Sequence, residues 1–360
     1  MFKRTSLLVS SALLFLGLAQ NLYAFELGNT LITSVPKNSL NAKLARSAGN
    51  KSVALMNVKL TAKEKARVLS GLIDSTEPNL QFSSHKLPAE VDIGMNEVPV
   101  LDQGMHGTCV TFAVAAALDA ALGQGDYISE LCNLELGKYL ENEGYAMSGW
   151  NGTDGGIVLD QILLFGIVSK DTQSTKSCAN VTEYPVDDAD NTASQMTLEE
   201  FKSKSENINS KIQTVEHLNF IKRFFSEFND KKLAADTLDI VKKSLINKHR
   251  LVFATFLLLP QVGDCKVGAC ATYHANHDTW AITKELKQDI LLAAHEMVII
   301  GYDDNAEAID QAGKKHRGLL ILRNSWGKDV GDNGNYYMSY DFFKRFAFEV
   351  HEIVDIQETE

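Results

Sequence analysis

The stretch at residues 101–118, LDQGMHGTCVTFAVAAAL, constrains the fold more than any other part of the chain. From Val110 onward it carries Phe112, Ala113, Ala116, Ala117 and Leu118 with small residues between them, and nothing breaks the pattern before Gly123. This predicts a helix that is apolar all round and therefore buried. Gly104 and Gly107 precede it, where the chain must bend tightly to enter the helix. Cys109 then falls at or beside a helix N-terminus. Unpaired N–H groups and the positive end of the helix dipole favour a thiolate there. A small buried cysteine fits the stretch equally well.

Two later stretches bear on that choice. Residues 292–304, LAAHEMVIIGYDD, place His295 at the start of an apolar strand over 297–300. Residues 319–327, LLILRNSWG, place Asn324 at the end of a strand over 319–322. The polar run 311–317 makes the hairpin loop between them. Taken singly, His295 reads as a core histidine, and Gln103 and Asn324 as turn residues. Taken together, the order cysteine, histidine, asparagine at element ends permits convergence in space.

The conjunction resembles the papain family of cysteine peptidases. The matching pieces are Gln103-Gly104 with Gly107-Thr108-Cys109, then His295 with Gly301-Tyr302-Asp303, then Asn324-Ser325-Trp326-Gly327. Leu87-Pro88 to Asp92, Gly155-Gly156 and Tyr184-Pro185 are similar in a looser way, so the resemblance runs from about residue 87 to the C-terminus. It implies an α+β, two-lobed papain-like fold, with a helical lobe carrying Cys109 and a β-barrel-like lobe carrying His295 and Asn324. It also implies peptide-bond hydrolysis through an acyl-enzyme, without cofactor or metal. Cys109 would be the nucleophile, His295 its proton partner, Asn324 the group that orients the ring, and Gln103 an oxyanion donor. Trp326 would shield the His295–Asn324 bond, and Gly155 and Gly156 would let a substrate backbone approach.

Several residues depart from the family pattern. His106 and Thr153 stand where a cysteine pair is usual, so both halves of one bridge are replaced together. Val110 replaces a tryptophan. Glu296 follows the histidine where a small residue is common; a carboxylate there would either raise the imidazole pKa or point to solvent. Cys109 also lies further from His295 than the roughly 130–150 residues expected, and an insertion at 186–236 accounts for the excess. That segment is charged, with Phe220, Phe224, Phe225 and Phe228 at helical spacing to pack it onto its own domain. Helix over 240–245 and strand over 251–259 follow it.

Five cysteines are one nucleophile plus four. The expected pairs are Cys132 with Cys178 and Cys265 with Cys270. The alternative is a metal set of Cys265, Cys270, His274 and His277. Residues 1–24 read as a secretory signal, with Lys3 and Arg4 before an apolar run too short for a comfortable membrane span, and secretion favours disulfides. Residues 25–86 read as a hairpin, with strands over 30–35 and 53–60 around a loop at 41–51, followed by a helix over 61–73 capped by Thr61 with Glu64. This extension is either a pro-segment that covers the cleft or a fixed addition packed on the peptidase domain, residues 87–360.

A net charge of −11 argues against nucleic acid and anionic membranes as partners and does not identify a substrate; the resemblance implies a protein or peptide substrate. Two other functions fit the same residues. One is a catalytically silent binding protein on this fold. The other is an acyltransferase or deamidase using the same triad.

Overall fold

The computed structural model describes residues 26–38, 49–70, 72, 87–187, 195–220, 223, 230–287 and 290–356. The signal reading at 1–24, most of the loop at 41–51, and Phe224, Phe225 and Phe228 lie outside them.

The chain begins with short strand β1 (Glu26–Leu27), then β2 (Leu31–Pro36), β3 (Asn50–Leu55) and β4 (Val58–Lys59). β2 and β3 form an antiparallel hairpin in register from Leu31 opposite Leu55 to Pro36 opposite Asn50, and β1 pairs with β4. Helix α1 (Ala62–Ser70) follows. Its start is a reciprocal cap: the Glu64 N–H donates to Thr61 Oγ1 at 3.3 Å, and the Thr61 N–H donates to Glu64 Oε2 at 2.7 Å.

Strand β5 (Glu90–Asp92) leads to the helical part: α2 (Cys109–Leu122), α3 (Glu130–Asn142), α4 (Gly155–Phe165) and α5 (Lys170–Lys176). α2 is buried over nearly its whole length, as its all-round apolar sequence requires, and it ends on Gly123 in the left-handed region at φ 62°. Ser129 caps α3 by accepting from the Cys132 N–H, and Cys132 is disulfide-bonded to Cys178. The bridge ties α3 to the segment that follows α5.

The remaining elements are α6 (Leu198–Lys204), β6 (Ile212–Leu218), α7 (Lys231–Ile246), β7 (Arg250–Pro260), β8 (Ala271–Thr272), β9 (Thr279–Trp280), β10 (Ile290–Asp310), β11 (Lys315–Arg323), β12 (Asn335–Ser339), α8 (Tyr340–Phe346) and β13 (Ala347–Asp355). Cys265 and Cys270 bridge the loop between β7 and β8. The main sheet runs β11-β12-β9-β8-β10-β7-β13-β6, with β5 on β10. β7 is buried at every position because β10 and β13 take its edges and helices such as α2, α7 and α8 pack against it, which is why its sequence is nearly continuously apolar instead of alternating.

Two elements differ from the sequence reading. The strand expected over 297–300 is part of the 21-residue β10, so His295 lies inside a strand opposite Thr255, not at its start. Register shifts near Gly301 and between Asp303 and Glu307 let one strand serve β7 with its first half and β11 with its second. The segment 186–236 is not only helical. β6 hydrogen-bonds along β13 at the sheet edge, and Phe220 packs on Phe256 and Phe348 of the domain itself.

Candidate active site

The helix α2 and the strand β10 bring the two halves together. Cys109 is the first residue of α2, fully buried, and the free cysteine among the described residues. Its sulfur receives a backbone hydrogen bond from Glu296, the neighbour of His295. On the other side of the imidazole, His295 Nε2 lies 2.8 Å from Asn324 Oδ1, just past the end of β11. The same oxygen accepts from the Ser325 N–H at 2.7 Å. A backbone N–H can only donate, so Oδ1 is an acceptor and Nε2 carries the ring proton. His295 Nδ1 is left buried, without a hydrogen-bond partner, as the basic nitrogen. The Trp326 ring stacks on the imidazole with centroids 4.6 Å apart.

Gln103 is completely buried and held at several points. Its N–H donates to Ser325 O, and its Oε1 accepts from Ser325 Oγ at 2.7 Å. Tyr184 donates its hydroxyl to Gln103 O and shares a 2.9 Å bond with Thr108, the residue before the cysteine. Ser325 and Tyr184 carry no separate signal in the sequence, because only the fold sets them beside Gln103. The amide of Gln103 donates to His106 O at 2.9 Å and reaches Ala54 O at 3.3 Å. Ala54 belongs to the N-terminal hairpin.

That hairpin crosses the site. Met56 and Ala294 exchange backbone hydrogen bonds of 3.0 and 2.9 Å one residue before His295. Thr30 donates to Asn151, whose backbone would meet any side chain at Gly107. Lys51 pairs with Asp102 and lies 3.6 Å from Asp329, which also holds Lys37 at 3.0 Å. Val53, Ala54, Leu55 and Met56 are essentially unexposed, and Val53, Leu55 and Met56 share one core with Cys109 and β10.

Burial sets the electrostatics. Loss of solvent pushes the Cys109 thiol up to about 12, outweighing the backbone bonds that favour the thiolate. It pulls the His295 imidazole down to about 4, against the Asn324 bond. Both groups are therefore neutral at neutral pH, a thiol and an imidazole. Glu296 does neither thing expected of it: it is buried, not in solvent, and the histidine is lowered, not raised.

The other expected residues fall as follows. Gly155 and Gly156 are not loop residues; they form the first turn of α4, capped by Asp154, and Gly155 is buried against Glu349 and Glu296. The missing family bridge is replaced by aromatic packing, with His106 edge-on to Trp150 and Tyr184 and its Nε2 2.8 Å from Pro185 O. The alternative metal set does not assemble. Cys265 and Cys270 are bonded to each other, His274 pairs with Asp332, and His277 faces Ala269 O.

Residues 276–358 match the family model of the Peptidase C1-like family, a segment that holds both His295 and Asn324. No curated protein matches the sequence. Among solved structures, the chain is similar to xylellain, a cysteine protease from Xylella fastidiosa, with 17% identity, TM-score 0.48, and 78% of this chain and 95% of that chain covered. It is similar to digestive procathepsin L 3 of the Tenebrio molitor larval midgut at 16% identity and TM-score 0.41, covering 88% and 83%. It is also similar to the proform of the ragweed pollen cysteine protease Amb a 11 at 18% identity and TM-score 0.45, covering 81% and 75%. The chain thus resembles the papain-like cysteine peptidases. No helix among the described residues is long and apolar enough to cross a membrane.

Proposed function

We propose that this chain is a secreted cysteine peptidase, held in a covered form by residues 25–86 until that segment leaves the cleft. The observation that carries this reading is the occupancy of Gln103: the amide that would hold an oxyanion reaches instead to a backbone carbonyl of the N-terminal hairpin, Ala54. With His106 O, Ala54 O takes up the amide protons of Gln103, which supports a hairpin backbone that stands in for a substrate backbone.

The chemistry follows from the proton inventory. With Nε2–H fixed by Asn324, Nδ1 can take the Cys109 proton once solvent returns to the cleft and the charged pair is no longer penalised by burial. The thiolate attacks the peptide carbonyl carbon. The carbonyl oxygen, now negative, accepts from Gln103 Nε2 and the Cys109 N–H at the start of α2. His295 returns its proton to the leaving amine, which departs as the carbonyl re-forms as a thioester. Water, deprotonated by the same imidazole, attacks the thioester and frees Cys109.

The test is the pH dependence of Cys109 alkylation by iodoacetamide, read by peptide mass, on the full chain, on the chain freed of residues 25–86, and on each with His295→Ala. The full chain should react very slowly at neutral and mildly acidic pH. The freed chain should react fast there, and His295→Ala should abolish the gain. A freed chain that reacts only near the reference thiol pKa of about 8.5 would overturn the reading.

A further inference from the structure

Behind the reacting pair, the N-terminus of α4 meets β10 and β13 in a buried group of charges that the peptidase chemistry does not use. Asp154, Glu349 and His351 each present a ligand atom, and these atoms lie within 4.8 Å of one another. His351 Nε2 lies 2.8 Å from Glu349 Oε1, and Asp154 Oδ1 accepts from the Gly156 and Ile157 N–H groups. Glu349 and His351 are 2% and 4% exposed.

Glu296 supplies a separate observation. It is 1% exposed, and both of its carboxylate oxygens lack any hydrogen-bond partner. It is aimed at the same place: a side chain at Gly155 would meet Glu349 Oε1 at 2.4 Å and Glu296 Oε1 at 2.9 Å. An ionised carboxylate with two orphaned oxygens in a dry interior is costly unless a cation or a proton neutralises it.

We propose that Asp154, Glu349 and His351, with Glu296 closing the fourth side, form a divalent-cation site that ties the helical lobe to the sheet behind the active site. Two or three carboxylates with one imidazole form a hard-to-borderline donor set that suits a zinc- or manganese-class ion. The mutual spacing suits a single atom. The positions of the ligands follow the fold: Asp154 is fixed by capping α4, Glu349 and His351 alternate to the same face of β13, and Glu296 is locked by β10 pairing opposite Ala254. The site is therefore built on rigid elements, and an ion there would hold Glu296 and, through it, the adjoining His295 strand.

The test uses the full chain with Cys109→Ala, which removes the thiol as a competing ligand and prevents self-cleavage. Purified protein is assayed for bound metal, stripped with chelator, and titrated with zinc and with manganese by calorimetry and thermal melting. The site predicts about one equivalent bound, a melting point that rises with metal concentration, and a first shell of oxygen and nitrogen without sulfur by X-ray absorption. Glu349→Gln and Asp154→Asn should each weaken binding at least about tenfold, and near-ultraviolet circular dichroism shows whether each variant is folded. Absence of uptake with an unmoved melting point would overturn the proposal, as would uptake unaffected by both variants. A third result also overturns it: no metal bound, but the freed Cys109 enzyme preferring lysine or arginine in its peptides and losing that preference with Glu349→Gln. That result would give the carboxylates to a cationic substrate side chain.

Discussion

Asn324 sets the tautomer of the His295 ring. Its Oδ1 accepts from both the Ser325 N–H and His295 Nε2, so the ring is held as the tautomer whose Nδ1 is free to take a proton. Asn324→Ala should lower kcat by about tenfold to a hundredfold through misorientation, with KM little changed. Asn324→Asp tests the charge at constant shape. A carboxylate at that place favours imidazolium, so the alkaline limb of the pH–rate profile should move upward; an unmoved limb would mean that the asparagine is not in the proton path. If Gln103 donates to the oxyanion as proposed, Gln103→Ala should cost about 10²–10³ in kcat. All three variants are measured on the freed enzyme with a peptide substrate.

At the scale of elements, the hairpin β2–β3 raises the question of what holds it over the cleft. Its ionic contacts are Lys37 with Asp329 at the rim and the more enclosed Lys51 with Asp102. Lys37 and Asp329 are each 42% exposed at 3.0 Å, an arrangement worth only about 0.2–1 kcal/mol. Its apolar residues Val53, Leu55 and Met56 are buried at roughly 1.5–3 kcal/mol each. Packing therefore outweighs charge. Leu55→Ala should raise the rate of Cys109 alkylation in the full chain by tenfold or more, while Asp329→Asn changes it at most about fivefold. Equal effects of the two would show that the ion pairs, not the core, keep the segment down. The hairpin and α1 were legible because strand runs and the Thr61/Glu64 cap are local patterns. α2 was legible because it is apolar all round and stopped by Gly123. The length of β10 was not, since Glu296 breaks the apolar run and reads as solvent-facing although it is buried against other carboxylates. The start of α4 is hidden in sequence because a Gly-Gly pair favours a turn, whereas here Asp154 uses its carboxylate as an N-cap. Ala54 had no signal at all: a backbone carbonyl contacts Gln103 only through the packing of distant segments.

For the whole molecule, acid is the condition under which sheet edge and helix layer separate. Glu352 on β13 receives His217 of β6 and His249, which follows α7, each at 2.6 Å. It thus joins the edge strand and the helix to the sheet that carries β7 and β10. Burial alone would raise its pKa, but the bonds from His217, His249 and Ser244 outweigh it and bring it down to about 2, from an ordinary 4.5. A depressed carboxylate binds fewer protons folded than unfolded, so stability rises with pH across the window between those two values. The contribution is complete above about 4.5 and is lost as pH falls towards about 2. Allowing for solvent screening of a site that is not fully enclosed, it is on the order of 1–2 kcal/mol at neutral pH. Glu352→Gln should therefore lower the melting point at pH 7 by roughly 1–3 °C and flatten the fall in melting point between pH 5 and about 2. Melting curves of the Cys109→Ala chain at stepped pH, with and without that substitution, measure both. If the two curves run parallel throughout, folding does not shift the carboxylate's pKa, and the bonds from His217 and His249 add no pH-dependent stability to the junction of β6, α7 and β13.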